Sequence, residues 1–261
     1  MRILFLGDVV GRPGRRAVAA VVPRLIAQED LQFVVANCEN AAGGMGVDPR
    51  AAGELLAAGI DVLTSGNHVW AKRDIVEYVR DSDVLLRPAN FPPSAPGWGF
   101  TVKPSRGGPL VGVLNLIGRV FMGNCDCPFR AADAALQSLR SRTAVILVDM
   151  HGEATSEKVA MGWYLDGRVS AVVGSHTHVQ TADERVLPGG TAYLTDAGMC
   201  GPLDSVIGVK REQVLRRFTT QMPERFEVAG GPVTVQGAVV DVDETTGRAG
   251  GIQRLQRTVE A

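Results

Sequence analysis

The chain carries four histidines, at positions 68, 151, 176 and 178, and each has chemically capable neighbours. His68 follows Asn67, His151 precedes Gly152, and His176 and His178 flank Thr177 directly after Ser175. Two acidic clusters lie upstream: Gly7-Asp8, and Asn37-Cys38-Glu39-Asn40. Imidazole nitrogens mixed with Asp, Glu and Asn oxygens form the ligand mixture that suits iron, manganese or zinc. The seven candidates Asp8, Glu39, Asn40, Asn67, His151, His176 and His178 are more than one tetrahedral site uses. They would serve two ions if one carboxylate bridged. Two ions about 3.5–4 Å apart clamp the attacking and leaving oxygens of an in-line phosphoryl displacement. His68 is then left over, free to move protons. The competing structural reading is a set of core or surface histidines with satisfied hydrogen bonds. The shared position of all four, each at the end of an expected strand, argues against it.

The elements that must position these residues follow from hydrophobic periodicity. Ile3–Gly7 reads as a strand, followed after Gly11-Arg12-Pro13-Gly14 by a helix to about Gln28. Phe33–Ala36 and Val62–Thr64 read as further strands. Between them lies a helix over Pro49–Ala58, with Asp48 as its cap and Pro49 at its first position. A short helix is expected over Asp74–Val79, strands over Val111–Leu116, Ala144–Val148 and Val169–Val173, and helices near Ala131–Leu139 and Glu153–Tyr164. Alternation of this kind implies βαβ units and a largely parallel sheet, whose ligand crevice lies outside the carboxyl ends of the strands. The clusters all fall there. Val233–Asp241 and Ile252–Val259 read as late, mostly antiparallel strands, and Phe91–Gly99 and Met122–Phe129 as loops, the second a candidate lid. With no linker or repeat, residues 1–261 are expected to form one domain. The expected fold class is α/β, two mixed β-sheets packed together and flanked by helices.

Composition narrows the partners. Of 261 residues, 45% are hydrophobic and 21% charged, which excludes a disordered or fibrous chain. A net charge of −1 gives no global field for nucleic acid or an anionic membrane, so an anionic ligand must be held locally. No apolar run approaches the roughly 18 residues of a spanning helix, and nothing reads as an export signal. Cys38, Cys125, Cys127 and Cys200 have neither disulfide-framework nor zinc-finger spacing, so a reduced, cytoplasmic protein is expected. Cys38 reads as a buried, inert thiol. Gly43-Gly44-Met45-Gly46 reads as a flexible loop that could shape a substrate mouth. Trp70 and Phe121 could stack a base or simply pack, and Arg119 could pair with a phosphate or a surface carboxylate.

Gly7-Asp8, Gly66-Asn67-His68, His151-Gly152 and Ser175-His176-Thr177-His178 resemble the ordered motifs of the calcineurin-like metallophosphoesterases. The likeness runs from residue 8 to residue 178. It departs where that superfamily's Asp-x-His places Val10, and where its Gly-Asp gives way to Glu39-Asn40. These departures, with Gly66-Asn67-His68-Val69-Trp70, Arg87-Pro88-Ala89-Asn90 and Asn115-Leu116-Ile117-Gly118-Arg119-Val120-Phe121, resemble the YmdB-like branch. The resemblance implies a metallophosphoesterase sandwich and a dinuclear phosphodiesterase acting on cyclic nucleotides, notably 2′,3′-cyclic AMP, through a metal-activated hydroxide. One ion would take Asp8, Glu39, Asn40 and His178, and the other Glu39, Asn67, His151 and His176. Iron or manganese is favoured over zinc. His68 resembles the proton donor to the leaving oxygen. A broad phosphomonoesterase and a metal-bound nucleotide sensor are the alternatives. The expected partner is a small phosphodiester; a homo-oligomer is compatible with the sequence, a membrane is not expected.

Overall fold

A computed structural model describes residues 1–260; Ala261, the last residue of the expected domain, lies outside the described residues. In chain order the strands are β1 (Arg2–Leu6), β2 (Asp8–Val9), β3 (Phe33–Asn37), β4 (Val62–Thr64), β5 (Phe100–Pro104), β6 (Leu110–Ile117) and β7 (Val145–His151). They continue with β8 (Ala171–Ser175), β9 (Arg185–Val186), β10 (Ala192–Leu194), β11 (Met199–Pro202), β12 (Val233–Val242) and β13 (Ala249–Val259). The helices are α1 (Gly11–Gln28), α2 (Pro49–Ala57), α3 (Ile75–Asp81), α4 (Pro128–Arg140), α5 (Thr155–Leu165) and α6 (Arg211–Thr220).

Two mixed sheets result. The first runs β2-β11-β12-β1-β3-β4 with β13 added on β12; the second runs β5-β6-β7-β8-β10-β9. β1, β3 and β4 are parallel, as are β6, β7 and β8, whereas β12 runs antiparallel to β1, β11 and β13. Side chains alternate across each strand, and the alternation builds three apolar layers. Ile3, Phe5, Phe33, Val35, Val145 and Leu147 meet between the sheets. Their neighbours Leu4, Leu6, Val34 and Ala36 pack on Val18, Val22 and Leu25 of α1 and Leu55 of α2. On the far side Ile146 and Val148 pack on Leu136 and Leu139 of α4 and Met161 of α5. Each such Val, Leu, Ile, Phe or Met side chain, when fully buried, contributes roughly 1.5–3 kcal/mol. This α/β/β/α sandwich aligns the carboxyl ends of β1, β3, β4, β7 and β8.

Local rules explain most boundaries. The Asp48 side chain accepts the Ala51 N–H at 2.7 Å, and Pro49 occupies the first turn, where no donor is needed. α1 begins at Gly11 and not after Gly14, because a proline at position 13 also falls within the donor-free first turn. The expected strand Val169–Val173 starts later, at Ala171. Ser170 spends its hydroxyl on the Ile146 N–H at 3.1 Å before the ladder begins. Met122–Phe129 is irregular only to Cys127; Pro128 opens α4, and Phe129 packs edge-on against Tyr164 at 5.1 Å. β2, β5, β9, β10, β11 and α6 are additions to the expected elements. No helix among the described residues is long and apolar enough to cross a membrane.

Candidate functional site

Close packing brings the strand ends together. A Cβ on Gly7 would collide with the Gly198 carbonyl oxygen, and one on Gly14 with the Cys200 carbonyl oxygen. Glycine at both positions lets the backbones approach this closely. Asp8 then projects from β2 beneath a cleft of about 380 Å³ whose polar floor holds Glu39, Asn40, His68, His176 and His178. Asp8, Glu39 and His151 are fully buried, and Asn67 is exposed at the rim.

His151 is the hub. Its Nε2 lies 3.2 Å from Glu39 Oε1, 3.1 Å from Asn67 Oδ1 and 3.1 Å from His176 Nδ1. Two ligand atoms about 2.1 Å from a common ion, at right angles, are about 3.0 Å apart, so this spacing fits a coordination shell. Glu39, His151 and His176 each offer one ligand atom within 4.8 Å of the others. A second cluster lies alongside. His178 Nε2 is 3.0 Å from the Asn40 amide nitrogen and 3.7 Å from Asp8 Oδ1. Asp8 Oδ1 is buried without a hydrogen-bond partner among the described residues, a costly state that a cation relieves. A Cβ on Gly66 would run into the His151 ring and the Glu39 carboxylate, so glycine keeps the space between them open. The residues present therefore fit metal ions. The Asn40 amide oxygen faces His68 Nδ1 at 3.0 Å; turning the amide over would present it to His178 instead.

Electrostatics agree. Burial alone would raise the Glu39 carboxyl, but the His151 and His68 imidazoles outweigh it and hold the group well below its ordinary range. Burial is likewise outweighed at Asp8 by the facing His178 and by His151, and the net direction is down. Glu39 overcomes burial to raise His151 to about 9. Burial and the neighbouring His151 lower His176 to about 4, leaving a neutral ring with a lone pair to give. His176 and His178 have φ of 103° and 62°, a left-handed backbone that side chains other than glycine rarely adopt and that is typical of functional sites.

Val10 lines the cleft as a hydrocarbon, so no imidazole approaches from that position. Gly43, Gly44 and Met45 also line it, which gives the glycine loop its place at the mouth. Trp70 and Phe121 do not line it. Trp70 packs on the helix-side core and faces Phe91 at 6.5 Å, while Phe121 is 87% exposed on its loop. Arg119 makes no ion pair among the described residues; instead its backbone N–H donates to Glu157. Cys38 is buried, and burial pushes its thiol up.

Two supporting networks escaped sequence reading. Ser175 Oγ lies 2.9 Å from His151 Nδ1 and donates to Asp149 Oδ1 at 2.6 Å, fixing which face of the ring points into the site. Thr64 and Asn37 donate to the other Asp149 oxygen at 2.5 and 3.1 Å. Burial pushes Asp149 up to about 6. Its position on β7, two residues before His151 on the same face, was the available signal. The second network is the buried pair Lys158–Asp196, 2.7 Å apart. Asp196 also accepts the Thr177 N–H and hydroxyl at 3.1 and 2.8 Å, pinning the loop that carries His176 and His178. Lys158→Met is expected to strand that carboxylate in the interior at a cost of about 3–5 kcal/mol. The thermal unfolding midpoint should fall by roughly 6–20 °C; a shift near zero would show the pair to be dispensable.

Known proteins share this arrangement of chain. The profile of the family described as "YmdB-like protein" matches residues 4–255. A relative from Bacillus subtilis (strain 168), the 2′,3′-cyclic-nucleotide 2′-phosphodiesterase, is 49% identical over 255 residues, covering 98% of this chain and 96% of its own. A structure described as a hypothetical protein from Thermus thermophilus superposes with a TM-score of 0.92 at 41% identity, covering 99% of both chains. A novel phosphatase from Mycoplasma pneumoniae gives 0.92 at 32% identity, covering all of this chain and 94% of its own. The calcineurin-like phosphoesterase YfkN from Bacillus subtilis, at 11% identity and a TM-score of 0.58, shares the fold. With a family match spanning nearly its whole length and the same sandwich in its relatives, the chain belongs to the YmdB-like protein family.

Proposed function

We propose that this protein is a dinuclear metal-dependent phosphodiesterase that hydrolyses 2′,3′-cyclic nucleotides. The observation that carries the reading is the convergence of Asp8, Glu39, His151, His176 and His178 beneath one cleft, with Asp8 Oδ1 left without a protein partner among the described residues. The activity named for the 49% identical relative supports the same substrate class. Asp8, Glu39, Asn40 and His178 would hold one ion and Glu39, Asn67, His151 and His176 the other, with iron or manganese preferred because three imidazoles suit softer ions. When bound, such ions lower the pKa of water and offset phosphate charge, which a chain of net charge −1 cannot do by its overall field.

The chain's own groups do the rest. Glu39 and Asp8 supply the negative charge that retains cations. Asp149 and Ser175 hold the His151 ring in register. His68 is partly exposed, and its Nδ1 is engaged by Asn40, which leaves Nε2 for the cleft. It gives its proton to the leaving ribose oxygen as the P–O bond breaks and water's oxygen joins phosphorus, and the proton which that water sheds restores the ring. We read residues 1–261 as one domain, since strands from both ends of the chain share the inter-sheet core. Its four free thiols suit a reducing compartment such as the cytoplasm. The test is hydrolysis by metal-reconstituted protein of 2′,3′-cyclic AMP, an aryl phosphate monoester and an acyl ester. The cyclic diester should turn over fastest and stop on chelation. A rate on it equal to the buffer blank would overturn the reading.

A further inference from the structure

The cleft has two unlike halves. Besides the polar floor, its lining includes a hydrocarbon wall of Met45, Ile207, Val209, Phe226 and Val228. Met45, Ile207 and Phe226 are 54%, 49% and 49% exposed, large apolar groups held in water beside a polar centre. The wall is built, not incidental. Val209 and Val228 pair as an antiparallel bridge, flanked by Lys210 N–H to Glu227 oxygen at 3.0 Å and Ala229 N–H to Gly208 oxygen at 2.9 Å. The positive-φ residue Gly44 makes room for it, since a Cβ there would lie 2.7 Å from Val228.

Ile207 links the halves. Its φ of 47° is left-handed, a conformation strained for a β-branched residue and one that persists at ligand clamps. Its carbonyl oxygen lies 2.9 Å from His178 Nδ1, and the residue itself lines the cleft. Glu227, between Phe226 and Val228 in the chain, has one carboxylate oxygen paired with Lys210 Nζ at 2.5 Å. The five side chains of the wall therefore offer an aromatic face and aliphatic surface, and none of them carries a nitrogen or oxygen to read a base edge.

Resting on the phosphodiesterase reading, we infer that this wall seats the nucleobase of the substrate, with Phe226 as its stacking face, and that it does so without distinguishing bases. Every base has a π-face, so stacking without edge contacts is tolerant of base identity. Phe226 is then the residue that separates nucleotides from smaller phosphodiesters.

The experiment compares kcat/KM for 2′,3′-cyclic AMP with that for methyl riboside 2′,3′-cyclic phosphate, which lacks a base. Phe226→Ala should lower the ratio of the two about 5- to 100-fold, and Phe226→Trp, which keeps a stacking face, should restore it. Thermal melting checks that each variant is folded. In the wild type the four common 2′,3′-cyclic nucleotides should differ in kcat/KM by less than about tenfold, the spread of stacking strength. An unchanged ratio in Phe226→Ala, or a wild-type preference for one base far beyond that spread, would overturn the inference while leaving the phosphodiesterase reading intact. If the wild type hydrolyses neither substrate, that reading fails and the inference with it.

Discussion

Glu39→Ala is expected to lose bound metal and phosphodiesterase activity together. The carboxylate is buried, with Oε1 at 3.2 Å from His151 Nε2 and 3.4 Å from His68 Nδ1, and Oε2 accepting the His68 N–H at 3.0 Å. As the proposed bridge it would serve both ions, and it stays ionised because the imidazoles outweigh its burial. Outer-shell changes alone typically cost about 10–100-fold in metal affinity or activity, and removing a shared ligand exceeds that. Activity should fall to the level of chelated wild type. Elemental analysis of protein never exposed to chelator checks it: a full metal complement in Glu39→Ala would remove Glu39 from the ligand set.

His68→Ala should separate from that behaviour. Its ring makes no hydrogen bond with His151, His176 or His178 among the described residues, and its polar contacts are to Asn40 and Glu39. Truncating it leaves the proposed ligand atoms in place and removes the proposed proton carrier, so metal content should hold while turnover falls about 10²–10⁴-fold. The fall should shrink on a diester whose leaving group is a weak base, because such an oxygen departs without a proton. Loss of metal in His68→Ala would make it a ligand; full activity on a poor leaving group would end the acid role.

The buried half of this molecule was legible because its physics is local and periodic. Parallel strands β1, β3, β4, β6 and β7 appear as short β-branched runs, and Asp48-Pro49 announces α2 by capping alone. The histidines betrayed the site because each follows or ends a strand. What escaped is what periodicity does not encode. β9, β10 and β11 are two to four residues long, too short to show alternation. α6 buries only Val214, so it has no apolar stripe to find. Asp149 and Asp196 act through distant partners, and their roles emerge only once β4, β8 and α5 are assembled. Phe226 lies between α6 and β12, far in sequence from every motif, so no pattern in the chain singles it out.

The most direct test is a metal titration of apo-protein with manganese or ferrous iron, following bound metal per chain and hydrolysis of 2′,3′-cyclic AMP together. Two ions should bind per chain, and activity should reach its plateau only as the second site fills. Saturation of activity at one ion per chain, or hydrolysis undiminished in the metal-free protein, would contradict a dinuclear phosphodiesterase.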